Sequence, residues 1–163
     1  MPSPAEHSEE QWVQVTRSGS NAVATANVRD EHELLLDEPE WIPGGNDAAP
    51  WPSNYLLVAC AGCQVEVITQ AFEKARIEEY DIDVEARFET EDLGPDLDGY
   101  PDHLSWRYTT IVMDVAVETT AANEAQVERL LNLARDACIV SRSVERGIDF
   151  EIEQTLSIRP EGE

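Results

Sequence analysis

The sequence predicts an α+β fold built on an antiparallel β-sheet. Short segments of apolar–polar alternation come in groups, as half-buried strands do. One long run, Pro52 to Arg76, apolar in its first half and amphipathic in its second, exceeds strand length and reads as a helix. The blocks follow the order βββ–α–ββ–α–β, without the strict strand–helix alternation of a parallel sheet. The 163 residues suit one domain, expected over 11–160 after a flexible Pro, Ser and Glu arm at 1–10.

Each element has its own signal. WVQVTR alternates, SGSN offers a Gly-containing turn, and AVATANV alternates again, which together read as a hairpin. Arg17 stands where the first strand meets that turn. EHELLLDE is a third short strand, and PEWIPGGNDAAPWP, dense in Pro and Gly, is a loop. Pro52 suits the first turn of a helix, and Ser53 or Asn54 can serve its unpaired N–H groups. The first half of that helix, YLLVACAGC, is apolar all round, as in a helix buried inside the protein or inside an interface. The second half, QVEVITQAFEKARI, is amphipathic. DIDVEARFE is a strand, EDLGPDLDGYPDH a loop, and WRYTTIVMDVAVET a long β-branched strand. Asn123 can cap a second helix with Gln126 in the reciprocal capping position. On it Val127, Leu130, Leu131, Ala134 and Cys138 share one face, so Cys138 points inward near the helix end. GIDFEIEQTLSI closes the chain as a strand.

Charge narrows the partners. Thirty-four acidic residues face eleven basic ones, a net charge of −23, and Lys74 is the sole lysine. Such a field repels phosphate backbones and anionic lipid, so neither nucleic acid nor a membrane is an expected partner. The acidic residues are spread through every segment, which points to a surface adapted to a high-salt cytosol. An acidic patch for a basic partner is the alternative. No apolar run looks long enough to span a membrane, which takes about 18 residues. The N-terminus has no signal-peptide pattern, so a cytoplasmic protein is expected.

Three cysteines, Cys60, Cys63 and Cys138, are too few for a disulfide framework. A structural zinc site wants four ligands, and Cys60 with Cys63 has no second pair; His7, His32 and His103 lack ligand spacing to them. Redox C-x-x-C motifs open a helix, where its dipole acidifies a thiol. Here the pair lies two to three turns inside one, at i and i+3, a poor geometry for a disulfide. Core packing suits Cys60, set among Leu56, Leu57 and Ala59.

Cys63 and Cys138 carry a further signal. PWPSNYLLVACAGCQVEV resembles the central-helix motif of the OsmC/Ohr superfamily, in which a helix-opening proline is followed eleven residues later by a cysteine, as Pro52 is by Cys63. CIVSRSVERG resembles the second motif of that family: Cys138, Val140, Ser141 and Arg142 match it. The resemblance runs from about Gln11 to Ile158. It implies a thiol peroxidase that reduces organic hydroperoxides, needs no cofactor or metal, and is reset by a dithiol reductant. It further implies an intertwined homodimer with a long buried central helix and active sites at the subunit interface. Cys63 would be the peroxidatic cysteine and Cys138 the resolving one. In the resembled family an arginine from the N-terminal hairpin activates the thiolate. Arg17 is the match here, with Arg29 the alternative.

The chemistry explains why a cation is needed. A thiol of pKa about 8.5 is only about 3% ionised at neutral pH, and apolar burial raises the pKa further. A guanidinium stays charged when desolvated and offers a fork of donors to peroxide oxygens. One departure stands out. Peroxidase branches of the family place a glutamate after the helix-opening proline to orient the arginine; Ser53 and Asn54 stand there. The rival function is a non-catalytic protein of the same family that holds a hydrophobic small molecule in the interface pocket.

Overall fold

The computed structural model describes residues 12–19, 22–92 and 106–147. The expected arm at 1–10, most of the 91–103 loop and the closing strand beyond Gly147 lie outside the described residues. Eight elements run along the chain: β1 (Val13–Thr16), β2 (Ala24–Val28), β3 (His32–Leu36), α1 (Pro52–Ala75), β4 (Asp81–Asp92), β5 (Trp106–Glu118), α2 (Glu124–Ala137) and α3 (Ile139–Arg146).

All described strands pair antiparallel, in two sheets. β1, β2 and β3 form one in sequential order, and β4 and β5 form the other. The β2–β3 turn puts Arg29 and Asp30 at positive φ, and Asn27 Oδ1 accepts the Asp30 N–H at 2.8 Å, a short polar side chain steadying the turn. β4 and β5 are long, running from the Asp81–Glu118 pair to the Asp92–Trp106 pair with a bulge at Glu89/Thr90. Period-two alternation puts Ile82, Val84, Ala86 and Phe88 on the more buried face of β4.

The loop between β3 and α1 is organised by a carboxylate. Asp37, 4% exposed, accepts the N–H groups of Glu38, Asn46 and Ala48 at 2.9, 3.1 and 3.0 Å. Gly45 is needed there: a Cβ would sit 2.3 Å from the Pro39 carbonyl oxygen. The loop delivers Trp51 as the N-cap of α1, with Pro52 in the first turn. Asn54 Oδ1 accepts the Trp51 N–H at 2.9 Å, so Asn54 rather than Ser53 serves the helix start. Arg76 in the left-handed region ends the helix.

α1 packs one stripe inward: Cys60, Gln64, Ile68 and Phe72, each four residues from the last. Ile68 and Phe72 are fully buried with Ile77, Leu130 and Ala134, backed by Ile82 and Val117 of the long hairpin. Phe72 meets Tyr80 edge-on at 5.0 Å. α2 presents the expected face, with Leu130, Ala134 and Cys138 buried, and Asn123 Oδ1 caps it by accepting the Gln126 N–H at 3.0 Å.

Three expectations need correction. α3 is an added element: the chain turns at Cys138 and runs eight more helical residues before Gly147, at φ 74°, stops it. Of the two alternatives for the first half of α1, enclosure within the single chain is the one corrected, because Leu56 is 40% and Val58 63% exposed. Finally, α1 is long and apolar enough to cross a membrane by length and composition, with mean hydropathy 1.4 over an 18-residue stretch. Its inner stripe packs on protein, however, and its outer face turns polar at Glu66, Gln70 and Glu73.

Candidate functional site: a thiol pair at a helix N-terminus

Cys138 ends α2 and begins α3. Its N–H still donates to Ala134 O at 3.0 Å, while its carbonyl already accepts from Arg142 N–H at 3.1 Å. A side chain at this junction points back over the first turn of α3, where N–H groups have no intrahelical partner. The sulfur is fully buried and lies 3.1 Å from Ser141 Oγ. Cys63, half-buried three positions beyond Cys60 on α1, lies near enough to the α3 start for Cys138 and the Val140 and Ile139 N–H groups to act on its thiol. All three cysteines are reduced.

The environment treats the thiols differently. Burial pushes the Cys63 thiol up, and contact with Cys138 adds to the rise; the Val140 and Ile139 N–H groups pull the other way without overcoming it. Burial also pushes Cys138 up. There the Ser141 hydroxyl, the Ser141 N–H, the Cys63 thiol and the Val140 N–H outweigh burial and hold Cys138 below the usual thiol range. The largest lowering influence is the Ser141 hydroxyl 3.1 Å away, followed by the backbone of the α3 start, where a helix dipole favours a negative sulfur. Cys60, 2% exposed, is pushed up by burial and then by the charges of Cys138 and Cys63, so the three sulfurs form one neighbourhood. No group of three or more His, Cys, Asp and Glu side chains suited to a metal ion occurs among the described residues.

The two expected arginines have these contacts within the chain. Arg17 donates from its guanidinium to the Gly44 carbonyl and acts on Asp37, which ties it to the 37–50 loop. Arg29 pairs with Glu31 at 2.9 Å on the surface. At Cys138 the Ser141 hydroxyl and the N–H groups of the α3 start favour negative charge, and at Cys63 the Val140 and Ile139 N–H groups do. Sequence reasoning missed Ser141 as a partner of Cys138 and missed α3 itself. Gly147 directly after Arg146 was the available stop signal.

Beside the sulfurs opens a cavity of about 640 Å³ between α1, the long hairpin and α3. Its walls include Leu56, Cys60, Ile111 and Met113, together with Phe88 and Tyr108, whose rings stack at 3.8 Å. Ser141, the partner of Cys138, also lines it, so the apolar cavity adjoins the thiol pair.

Residues 44–153 match the model of the OsmC-like protein family, which spans more than half of the chain. The chain belongs to the OsmC-like family. Its fold is shared with solved members. An OsmC-like protein from Vibrio cholerae is 19% identical, with a TM-score of 0.61 over 83% of this chain and 94% of that one. An OsmC-like protein from Mycoplasma pneumoniae is 14% identical, with a TM-score of 0.60 over 83% and 86%. An organic hydroperoxide resistance protein from Elizabethkingia anophelis is 14% identical, with a TM-score of 0.59 over 83% and 89%. No curated protein matches the chain. At these identities the likeness establishes the OsmC-like fold, and the chemistry rests on the residues of the chain.

Proposed function

We propose that the protein is a thiol-dependent peroxidase that reduces organic hydroperoxides. The observation that carries this is the meeting of Cys63 and Cys138, remote in sequence, at the α3 N-terminus beside an apolar cavity. The hydroperoxide-resistance name of a fold neighbour supports it.

Cys63, the less buried of the pair, is the peroxidatic residue. Its sulfur attacks the terminal peroxide oxygen, the O–O bond breaks, and the alcohol leaves with a proton. The resulting sulfenic acid is attacked by the Cys138 sulfur; the S–S bond forms and water leaves. A dithiol restores both thiols by exchange. The cavity takes the organic group, favouring bulky apolar hydroperoxides over hydrogen peroxide. Arg17 is assigned to receive the peroxide oxygens through its fork of donors, once it is released from the Gly44 carbonyl.

The functional unit is a homodimer. Val58, Ala59 and Gly62 make an exposed apolar outer face on the first half of α1, which a second copy would cover. Cumene hydroperoxide with a dithiol tests the activity in molar KCl. The wild type should consume it, and Cys63→Ser should reduce turnover at least about a hundredfold. A second function, non-catalytic binding of a hydrophobic molecule, is favoured by the aromatic-walled cavity alone. It predicts no thiol-dependent consumption and unchanged ligand affinity in Cys63→Ala.

A further inference from the structure

The apolar cavity and the sulfurs share one hydroxyl. Ser141 lines the cavity wall, and its Oγ stands 3.1 Å from the Cys138 sulfur. Among the described residues the hydroxyl-bearing side chains on that wall are Tyr108, Thr109, Thr110 and Ser141. Thr109 Oγ1 already donates to the Glu89 carbonyl at 3.3 Å, and Ser141 is the one paired with a sulfur. Resting on the peroxidase function proposed above, we infer that Ser141 anchors the hydroxyl of the alcohol product, and that the redox state of Cys138 decides whether this anchor is free. The oxidised protein then holds the alcohol, and the reduced protein releases it.

In the reduced protein the Ser141 hydroxyl is engaged with the Cys138 sulfur, whichever of the two atoms donates. Turnover ends that engagement. Two thiols and one hydroperoxide give one disulfide, one alcohol and one water: Cys63 and Cys138 lose two protons and two electrons, and the O–O bond breaks. Where the Cys138 S–H was the donor, that donor is gone. Where Ser141 donated, its acceptor has become a neutral disulfide sulfur, a weak one, held about 2.05 Å from the Cys63 sulfur. On either course the hydroxyl loses its sulfur partner. It stands in a part-buried place, where an unmade hydrogen bond is costly. A serine hydroxyl offers one donor and two acceptor pairs, so an alcohol oxygen in the cavity can take up the freed bond in either direction.

The rest of the wall sets what body the ligand carries. Leu56, Ile111 and Met113 are apolar, and the stacked Phe88 and Tyr108 rings suit a planar group. An arylalkyl alcohol matches this division, with its body on the apolar wall and its oxygen at Ser141. Cys60 also lines the cavity, but its thiol is only a weak donor and is 2% exposed. Arg135 is turned to solvent, its side chain 73% exposed and 3.6 Å from Asp136. The coupling is reciprocal. If the disulfide raises affinity for the alcohol, the bound alcohol disfavours reduction of the disulfide by the same factor. Reduction by the dithiol and release of the alcohol are therefore linked.

Titration by NMR with 2-phenyl-2-propanol, the alcohol that cumene hydroperoxide leaves, tests the inference in molar KCl. The Cys63–Cys138 disulfide is made with diamide, so the test does not depend on peroxide turnover. The oxidised wild type should bind the alcohol about fivefold more tightly than the reduced one, on the scale of one net hydrogen bond. Cumene, the same body without the hydroxyl, should bind both forms equally. Ser141→Ala should bind the alcohol equally in both forms. Cys138→Ala, in which Ser141 has no sulfur at position 138 to face, should bind it as tightly as the oxidised wild type. Equal affinity of the two wild-type forms would overturn the inference. So would a ratio that persists in Ser141→Ala or is shared by cumene. Should diamide give no disulfide, or Ser141→Ala not fold, an affinity in Cys138→Ala no tighter than that of the reduced wild type would overturn it equally. A wild type that shows the affinity ratio but consumes no hydroperoxide would instead remove the peroxidase function.

Discussion

At the scale of single residues, Asp37 shows how backbone N–H groups hold a buried carboxylate. At Asp37, hydrogen bonding led by the Ala48 N–H outweighs burial and, with Arg17 nearby, holds the carboxyl below its usual value of 3.8. A folded-state pKa depressed in this way stabilises the protein above the unfolded value. That contribution is lost as pH falls through the folded one. The Asp37 contribution is therefore intact at neutral pH and lost only below about pH 4. Asp37→Asn should remove this acid-limb loss and loosen the loop at all pH values. Limited proteolysis between Glu38 and Pro50 should run several-fold faster at neutral pH. Unchanged cleavage would show that the three N–H bonds do not hold the loop. Sequence marked Cys63 and Cys138 because their spacing from Pro52 and to Ser141–Arg142 forms motifs. It did not mark Asp37, because its partners are backbone groups up to eleven residues away that no side-chain pattern encodes. Ser141 was visible only as a motif letter, since its contact needs the helix break at Cys138.

The helices and strands divide by how local their causes are. α1 was readable to within a residue at both ends, because Pro52, the apolar run and the charged last turns act within the segment. The long hairpin was readable from alternation. α3 was not, because eight residues starting directly after another helix leave too short a period to detect. Whether apolar residues of α1 are buried by their own chain is not a local property either. The inner and outer faces of its first half are both apolar, and only packing distinguishes them. The proposed dimer rests on that outer face. Val58→Asp, 63% exposed, should leave the isolated fold intact while placing a charge in the interface. By sedimentation in molar KCl, association should weaken by at least about tenfold, on the scale of a desolvated unpaired charge. A wild type that sediments as a monomer, or a variant that associates equally well, would contradict the dimer.

Over the whole molecule the net charge of −23 sets the working conditions. Repulsion among carboxylates opposes the compact state, and salt screens it over a Debye length that shrinks from about 10 Å at 0.1 M to about 3 Å at 1 M. The proposed high-salt adaptation predicts that the thermal midpoint rises substantially from 0.1 M to molar KCl. A flat or falling midpoint would reject it. The same field opposes ionisation of every thiol, which makes local stabilisation by the α3 N-terminus more consequential for the chemistry. The decisive measurement is disulfide mapping by peptide mass spectrometry after one equivalent of cumene hydroperoxide, in molar KCl. A single Cys63–Cys138 disulfide, with Cys60 still reduced, is the predicted result. Three free thiols, or a bridge that includes Cys60 and omits Cys138, would contradict it.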